Sequence, residues 1–463
     1  MREEIIEITT EYIRLDSLLK FSGLAETGGS AKLIIAEERI KVNGEICTAR
    51  GKKLYDGDTV EIDEIGLALR IKKMRIVEIY ADGFRNLTEV SIKFNRRTNI
   101  LFGANGQGKT NILEAIWLCT GERSFRGAKE KDFFTNEQEF GTNKINESRQ
   151  YGGYRIVLKY ETAQREQTIE ISSAKPPFDK RVIKQNGVTL KNMSEIYGDF
   201  KCVIFNPDDL DISKGSPEKR RGFLDIMLCQ IEPHYKEMLD KYKKTLEQRN
   251  NQLKLTAEGK LRVDDLDIWD KQISQYGAYL TATRVRYVKD IKNYAVWFFG
   301  ELSRGKEQLD MKYISTVFEN VEQRESFGGQ SSLDYYNFIK DKRESDIAAG
   351  FTQYGVHRDD VNFYINSLSA KEFASQGQHR SIVISLKLAQ ARIFEKKSGE
   401  APCILLDDVL SELDARRRAY IMSSIRDLQV VITACEAVKS GEDYFNGRLV
   451  MIDRGSAMAL TKR

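Results

Sequence analysis

Residues that can bind phosphate are concentrated in the segment GANGQGKT, residues 103–110. The segment fits the pattern G-x-x-x-x-G-K-[ST], whose glycines let backbone N–H groups close around phosphate oxygens. In this pattern Lys109 supplies a positive charge to the β- and γ-phosphates, and the Thr110 hydroxyl binds Mg²⁺. The alternative is an ordinary glycine turn with a surface lysine. The context, after a predicted strand and before the predicted helix NILEAIWL, favours a phosphate-binding loop.

Two adjacent aspartates end an apolar run in ILLDDVLSELD, residues 404–414. Neighbouring carboxylates repel each other, so a cation is expected beside them. In a chain with a phosphate-binding loop, Asp407 is predicted to hold Mg²⁺ directly or through water. Asp408 is predicted to act on the attacking water as a general base or orienting group. The alternative is an acidic helix start, since Asp, Ser and Glu favour the first turn.

A third segment, ASQGQHRS at residues 374–381, precedes the amphipathic stretch IVISLKLAQARIF. Ser375 and Gly377 offer a hydroxyl and an unobstructed backbone immediately before a helix, which is a second potential anion site. Simple helix capping is the alternative for these residues.

Composition excludes several classes of protein. Hydrophobic residues make up 41% and charged residues 31% of the 463 positions, as in a globular protein. Apolar runs stay short of the roughly 18 residues that span a bilayer, so no membrane segment is expected. The six cysteines form no C-x-x-C pair, which argues against a zinc site and suggests reduced thiols and a cytoplasmic location.

The elements that must position these residues change character along the chain. Residues 1–72 form a small unit with strand-like alternation and the hairpin signals Asn43-Gly44 and Asp56-Gly57-Asp58. Residues 73–225 are rich in predicted strands and include the phosphate-binding loop. Residues 226–350 are predicted to be a helical insertion, and residues 351–463 return to strands. The fold class is therefore α/β, with one domain split by a helical insertion and preceded by a small α+β domain.

The helical insertion is predicted to contain an antiparallel helical hairpin. Apolar residues keep a 4-3 spacing on both sides of the connection TAEGKLRVDD, and Arg249 interrupts one seam. The apolar positions are Tyr235, Leu239, Tyr242, Leu246, Leu253, Trp269, Ile273, Tyr276, Leu280, Tyr287 and Ile291.

Positive charge is unevenly distributed. Residues 1–72 hold 11 Lys/Arg against 14 Asp/Glu, so a chain of net charge +4 carries its excess in the larger part. A polyanion is therefore expected to bind there. The candidate cations, each of which has a solvated charged face as its alternative, are Arg123, Arg126, Lys129, Lys180, Arg181, Lys219, Arg220 and Arg221. Arg358, beside Asp359 and Asp360, is read as either an ion pair or a ligand contact.

Together the three motifs resemble the ATPase heads of the ATP-binding-cassette superfamily. The ordered set FRNL, GANGQGKTNILEAI, FNPDDLDISKGSPEKRRGFLD, GVHRDD, SQGQHRS and LLDDVLSELD, spread over residues 74–463, resembles the RecF family of DNA replication and repair proteins. The resemblance implies a P-loop head that binds ATP and Mg²⁺. The residues it assigns to the nucleotide are Gly103, Ala104, Asn105, Gly106, Gln107, Gly108, Lys109, Thr110 and Asn111.

The resemblance also implies a mechanism and partners. Ser375, Gly377 and Gln378 of one chain would close over the γ-phosphate bound to a second chain, so ATP would drive a head-to-tail homodimer. Asp414 would lie in a loop at that interface. The family implies a weak, DNA-dependent ATPase of the DNA-damage (SOS) response. It would bind single- and double-stranded DNA at gap edges and junctions and work with RecO and RecR to load RecA.

Two departures from related ATPases are visible. QVVITACE lacks the histidine that transporter-type ATPases place after this strand, and FNPDDL lacks their metal-sensing glutamine. The γ-phosphate sensing of those relatives is therefore not carried over to this chain.

Residues 1–72 resemble a different family. The stretch from LDSLLKFSGLAETGG to LYDGDTV is similar to the small RNA-binding domain of a ribosomal small-subunit protein and of pseudouridine synthases. Arg50, Lys52 and Lys53 are candidate phosphate contacts. A protein-docking or vestigial role is the alternative, given the net negative charge of this segment.

Other functions remain in competition on sequence alone. They are the nucleotide-binding subunit of a transporter, a chromosome-maintenance protein with long arms, and an RNA-binding regulator that uses ATP as a switch. The long spacing from Ser375 to Asp407 and the helical insertion argue against the transporter. The helical insertion is also too short for long arms, because half of its residues at 1.5 Å each reach roughly 90 Å at most.

Overall fold

The computed structural model describes residues 2–7, 12–25, 27–36, 40–55, 58–62, 67–72, 74–135, 153–162, 165–174, 181–324, 329–435 and 447–460. These residues divide into two compact units. The first contains residues 1–196, 200–206 and 394–463, and the second contains residues 197–199 and 207–393. The four domain ranges expected from the sequence stay a prediction.

The N-terminal segment forms a small α+β domain within the first unit. Its strands β1, β7, β6, β3 and β4 lie side by side in that order, and helix α1 buries Leu15, Leu18 and Leu19 completely. Asn43 and Gly44 both have positive φ at the β3–β4 turn, as that hairpin signal predicts. The Asp56-Gly57 part of the second signal lies outside the described residues. The elements are β1 (Arg2–Glu7), β2 (Ile13–Arg14), α1 (Leu15–Phe21), α2 (Gly28–Ala36), β3 (Ile40–Val42), β4 (Glu45–Ile46), β5 (Lys53–Leu54), β6 (Thr59–Ile62) and β7 (Leu67–Lys72).

The next elements form an antiparallel sheet and begin a parallel one. The antiparallel sheet has the order β14-β13-β12-β11-β8-β9. Strands form in the segments MRIVEIY, RTNILFG, YRIVLKYE, QTIEIS and CVIF, in keeping with the strand-rich character predicted for residues 73–225. The elements are β8 (Arg75–Asp82), β9 (Val90–Lys93), β10 (Thr98–Phe102), α3 (Lys109–Leu118), β11 (Tyr154–Glu161), β12 (Glu166–Ser173), β13 (Val182–Gln185), β14 (Val188–Thr189) and β15 (Cys202–Phe205).

The second unit contains the expected helical hairpin. Arg249 pairs with Asp270, and Tyr235 accepts a hydrogen bond from Arg284, so positions rising along α6 meet positions falling along α7 and the helices are antiparallel. The elements are α4 (Leu210–Lys214), α5 (Pro217–Ile231), α6 (Pro233–Ala257), α7 (Asp267–Ser303), β16 (Leu309–Ile314), α8 (Gly329–Asp341), α9 (Arg343–Ala349), β17 (Asp360–Ile365), β18 (Leu368–Ser369), α10 (Ala370–Phe373) and α11 (Gln376–Ser398).

Arg249 lies in the helical seam with its charge paired. Its side chain is fully buried, and its guanidinium bonds Asp270 Oδ1, Asp346 Oδ2 and Thr352 Oγ1, each at 2.7 Å. Buried charge is tolerated because it is paired and hydrogen-bonded. The expected interruption is therefore a buried ion network inside the second unit.

The last strands complete the parallel sheet of the first unit. The order is β15-β19-β20-β10-β21-β22, and only β22 pairs antiparallel to its neighbour. Every residue of β19 is buried, as expected for a parallel strand covered on both faces. The elements are β19 (Cys403–Leu406), α12 (Ala415–Ser424), β20 (Val430–Ala434), β21 (Arg448–Asp453) and β22 (Ser456–Leu460). The phosphate-binding loop and the paired aspartates thus follow strands β10 and β19 at the same edge of the sheet.

Candidate nucleotide-binding site

Two glycines of the GANGQGKT loop, Gly103 and Gly108, stand where a side chain would clash with neighbouring atoms. A Cβ atom on Gly103 would lie 2.2 Å from Ile452 O, and one on Gly108 would lie 2.7 Å from Asn86 Oδ1. Gly108 also has a φ of 110°, which side-chain-bearing residues rarely adopt. It directly precedes α3, whose N-terminus therefore faces the loop. This strand–loop–helix arrangement suits an anion at the helix N-terminus.

Lys109 lies across the loop. Its side chain is almost fully buried, and Nζ donates to Gly103 O at 2.7 Å and to Ala104 O at 2.9 Å. The ammonium is thus held inside the curve of the loop, where phosphate oxygens are expected. The two carbonyl acceptors hold the charge in place at the centre of the candidate site.

Asp407 contacts the loop helix through Thr110. The Thr110 hydroxyl donates to Asp407 Oδ1 at 2.9 Å, and Asp407 is only 6% exposed. Burial raises the pKa of Asp407, and the nearby Asp408 carboxylate raises it further, while the hydroxyls of Thr110 and Thr433 oppose the shift. A hydroxyl and a carboxylate held together form an oxygen donor set that fits Mg²⁺.

Asp408 is positioned differently from Asp407. It is half-buried and has a left-handed backbone, with φ of 52°. Its backbone N–H donates to Thr433 Oγ1 at 2.8 Å, and the Thr433 hydroxyl lies 3.3 Å from Asp408 Oδ1. The two adjacent carboxylates therefore differ in their exposure to solvent, although both follow β19.

Further residues of the loop are held by polar contacts. Cys435 Sγ lies 3.0 Å from Asn105 Oδ1, and the Gly455 N–H donates to Gln107 O at 3.0 Å. Asn86 Nδ2 donates to Gly106 O at 3.0 Å. Asn105, Gly106 and Gln107 are thus each contacted by residues distant in sequence.

A chain of side chains connects the loop to the segment after α3. Arg126 donates to Asn111 Oδ1 at 2.9 Å, Asn111 Nδ2 donates to Asn86 Oδ1 at 2.7 Å, and Asn86 contacts Gly106. The charge of Arg126 also opposes the rise that burial causes in the pKa of Asp407. Sequence reasoning assigned Asn86 and Thr433 no role. The sequence held a signal for each residue. Asn86 belongs to the motif FRNL, and Thr433 lies near the end of the apolar strand QVVITA.

Ser375, Gly377 and Gln378, here called the signature residues, lie in the second unit at the start of α11. The Ser375 N–H donates to Gln378 Oε1 at 2.7 Å, and the Gln378 N–H donates to Ser375 Oγ at 3.3 Å, which is a reciprocal helix cap. Gln378 Nε2 also donates to Glu307 Oε1 at 2.7 Å. The amide of Gln378 is thus engaged at both ends, and the backbone at Gly377 accepts from Ser381 Oγ at 3.1 Å. The structure thus contains the helix cap that was the alternative interpretation of these residues, and the anion-binding role stays a prediction.

Several of the candidate DNA-binding cations have partners within the chain. Arg220 is 4% exposed and forms a bidentate pair with Asp360, and Arg221 donates to Asp359 O at 2.8 Å. These two arginines connect α5 to β17. Arg181 pairs with Glu130, and Lys219 lies 3.6 Å from Asp211. Lys180 lies outside the described residues.

Other charged residues singled out by sequence are exposed. Arg123 and Lys129 lie on the surface. Arg358 is exposed and lies over the Phe351 ring at 5.5 Å, whereas its two aspartate neighbours bond Tyr313, Thr316 and Arg220. Asp414 caps α12 by accepting from the Arg417 N–H at 2.9 Å.

Two further kinds of feature, a cluster of metal-binding side chains and a membrane-spanning helix, are absent from the described residues. Within the described ranges, no group of three or more His, Cys, Asp or Glu side chains is arranged to hold a metal ion. In the part of the chain that the structure describes, no helix is both long enough and apolar enough to cross a membrane. A cation held by Thr110 and Asp407 would take its remaining ligands from nucleotide oxygens and water.

Comparison with known protein families defines the class of this protein. A family model described as "RecF/RecN/SMC N terminal domain" matches residues 75–443, and one described as "S4 domain" matches residues 6–69. Together with the fold and the site, these matches define a RecF/SMC-type ATPase head preceded by an S4 domain.

Individual relatives narrow this class. The DNA replication and repair protein RecF of Clostridium acetobutylicum is 35% identical over 384 residues, which cover 82% of this chain and 99% of that protein. RecF of Lachnoclostridium phytofermentans is 34% identical over 376 residues, covering 81% and 96%. The chain therefore belongs to the RecF family of DNA replication and repair proteins, as its motifs predicted.

Solved structures support the same conclusion. A structure of "the recombination mediator protein RecF-ATPrS in RecFOR pathway" is similar with a TM-score of 0.74 and 32% identity, covering 84% of this chain and 99% of that one. The corresponding RecF-ATP structure has a TM-score of 0.75 and 32% identity, covering 84% and 98%. The S4 match likewise confirms the predicted resemblance of the N-terminal segment.

Proposed function

We propose that this protein is an ATP-driven, DNA-binding switch of DNA replication and recombinational repair. The observation that carries the proposal is the hydrogen bond from Thr110 to Asp407 Oδ1, which joins the phosphate-binding loop to the strand-end aspartate. The relatives described as RecF-ATP and RecF-ATPrS supply the nucleotide by analogy. ATP is the cofactor that fits the glycine loop and the buried Lys109.

The residues present fit Mg²⁺ together with a triphosphate. Thr110 and Asp407 would hold the cation, which when bound neutralises phosphate charge and orients the transferred group. Lys109 provides a second positive charge at the β- and γ-phosphates. Asp408, which is more exposed than Asp407, accepts a proton from the attacking water or orients that water. Slow hydrolysis that depends on DNA would suit release from DNA better than continuous work.

The signature acts across a dimer in this proposal. Ser375, Gly377 and Gln378 of one chain close over the γ-phosphate bound to a second chain, so ATP stabilises a head-to-tail homodimer. The cap in which Gln378 accepts from the Ser375 N–H supports this role, because it fixes the backbone at the start of α11. Gln378 then positions Ser375, whose hydroxyl faces the partner's nucleotide. ATP binding favours the closed dimer and hydrolysis favours the open one.

DNA and repair proteins are the proposed partners. The solved relatives are described as recombination mediators in the RecFOR pathway, and by analogy this chain binds single- and double-stranded DNA at gap edges. It works with RecO and RecR and helps to load RecA. The exposed candidates Arg123, Arg126, Lys129 and Lys219 stay as predicted DNA contacts. A cytoplasmic location fits the six cysteines, none of which forms a disulfide among the described residues.

RNA binding by the S4 domain is a second proposed activity. Arg14 and Arg50 both lie against Asp16 with about half of each side chain exposed, and Lys53 Nζ lies 4.1 Å above the Tyr12 ring. Exposed cations that are fixed in place suit a phosphate backbone. The test compares RNA affinity of the wild type with that of Arg50→Glu and Lys52→Glu. Unchanged affinity and salt dependence in both variants would remove the RNA role.

One set of variants tests the leading proposal. ATP-dependent dimerisation and DNA binding are measured for the wild type, Lys109→Ala, Ser375→Arg and Asp407→Asn. Lys109→Ala should lose nucleotide binding. Ser375→Arg should bind ATP without dimerising, and Asp407→Asn should fail to hydrolyse it. DNA binding that is indifferent to ATP in every variant would overturn the switch.

A further inference from the structure

The Thr433 hydroxyl occupies the space between the two strand-end aspartates. Oγ1 lies 3.0 Å from Asp407 Oδ1 and 3.3 Å from Asp408 Oδ1, and it accepts the Asp408 N–H at 2.8 Å. Thr433 is 3% exposed, so its side chain is shielded from bulk solvent. In the described part of the chain, the hydrogen-bond contacts of Oγ1 are all with residues 406–408.

Asp408 depends on this side chain because it stands just beyond the sheet. The Asp407 N–H still donates to Phe205 O at 2.9 Å, which continues the ladder between β19 and β15. The next N–H, that of Asp408, leaves the ladder and donates to the Thr433 hydroxyl instead. The Asp408 carbonyl accepts from Ser411 Oγ at 2.6 Å. Two side chains thus hold a residue whose φ of 52° is unusual outside glycine.

The single hydrogen of the Thr433 hydroxyl adds a second constraint. It can point to only one carboxylate at a time, and both carboxylates lie within reach. Strand β20 lies between β19, which precedes Asp407, and β10, which precedes the phosphate-binding loop. Thr433 therefore lies at the same end of the sheet as both. The side chain is therefore shared by the proposed metal-binding carboxylate and the proposed water-orienting one.

We propose that Thr433 is a positioning residue for hydrolysis, which sets the carboxylate of Asp408 relative to Asp407. This inference rests on the proposed ATPase function. A misplaced water-orienting group is costly, because displacements of about 1 Å can lower a rate by about 100-fold. Nucleotide binding depends on the loop and Lys109, which Thr433 Oγ1 does not contact in the described residues. Loss of the hydroxyl should therefore slow turnover and leave ATP binding intact.

The test uses Thr433→Val, which removes the hydroxyl at nearly constant shape, and Thr433→Ser, which keeps it. Steady-state ATP hydrolysis, equilibrium binding of a fluorescent ATP analogue and thermal unfolding are measured in the full chain. Thr433→Val should lower kcat by about 10- to 100-fold, with KM and analogue affinity within about two-fold of the wild type. Thr433→Ser should restore kcat to within about three-fold of the wild type. Thr98→Val, at the far end of the neighbouring strand, is the matched control.

Each other outcome counts against the inference. Wild-type kcat in Thr433→Val would overturn it, and so would equal losses of kcat, ATP affinity and unfolding temperature. If Thr433→Val does not fold, a Thr433→Ser variant that is stable but slowed by about ten-fold or more overturns it as well. Absence of ATP hydrolysis in the wild type would instead overturn the proposed ATPase function, and the positioning role with it.

Discussion

The Thr110 hydroxyl donates a hydrogen bond of 2.9 Å to Asp407 Oδ1, across 297 positions of sequence. Thr110 lies in the first turn of α3, after β10, and Asp407 follows β19. Strand β20 lies between those two strands, so parallel strands bring both residues to one edge of the sheet. Strand order thus builds the proposed nucleotide site from segments that are distant in the chain.

Asp408 should be sensitive to charge more than to length. Asp408→Asn keeps the shape but cannot accept a proton from water, so kcat for ATP hydrolysis should fall by about 100-fold or more while ATP still binds. Asp408→Glu keeps the carboxylate and extends its reach by one methylene, so it should retain hydrolysis. Steady-state hydrolysis and equilibrium nucleotide binding check both variants. Full activity in Asp408→Asn would refute the proposed role.

Arg249 should be essential for the stability of the second unit. Arg249→Met keeps the bulk of the side chain but leaves Asp270 and Asp346, both fully buried, without their shared partner. Removing one member of such a network should cost about 3–5 kcal/mol of unfolding free energy. Urea unfolding followed by a probe in the helical hairpin measures the loss.

The matched control for Arg249 is Lys241→Met on the same helix. Lys241 forms an exposed pair with Glu237, and solvent screening leaves such pairs little stabilising effect. Unfolding of this variant should resemble that of the wild type. Equal effects of the two substitutions would contradict a special role for the buried network.

His357 should make the second unit sensitive to acid. Burial lowers the pKa of His357 from 6.5 to about 4. Tyr242 OH lies 2.7 Å from Nδ1, and Nε2 lies 3.1 Å from Thr352 O, an arrangement that suits the neutral ring. The unfolded chain therefore binds a proton first as the pH falls. The neutral ring therefore contributes fully to the free energy of unfolding above pH 6.5. This contribution, about 3 kcal/mol, is lost as the pH falls to about 4.

Urea unfolding of the wild type and of His357→Gln between pH 4 and pH 7.5 measures this effect. The glutamine variant does not titrate, so its unfolding free energy should fall less steeply below pH 6.5. Parallel pH profiles for the two proteins would show that His357 does not contribute.

Local sequence patterns predicted the elements that carry the candidate site better than the contacts that hold those elements in place. The glycine loop, the DD strand end and the helical hairpin follow from spacing within short segments. Arg249 was read as a break in a seam, because its partners Asp270 and Asp346 come from distant segments. Arg220 and Arg221 were candidate DNA contacts with a solvated face as the alternative, and their partners were not visible because the aspartates that hold them lie about 140 positions away.

Thr433 and Asn86 show what sequence reasoning left out. Each acts on residues it does not neighbour in the chain, and their contacts depend on which strands are adjacent in the sheet. A threonine at the end of a buried strand is also an ordinary feature of β-structure. Only the strand order distinguishes this threonine from any other.

The central claim is that Ser375 of one chain completes the site that binds the nucleotide on another chain. Lys109→Ala and Ser375→Arg each inactivate one half of every site, and neither should hydrolyse ATP alone. In a mixture, a heterodimer of the two variants pairs an intact loop with an intact signature at one of its two sites. ATP hydrolysis should therefore reappear on mixing and rise with the concentration of the added variant. Two inactive variants that stay inactive when mixed, although each is folded, would contradict completion of the site across the dimer.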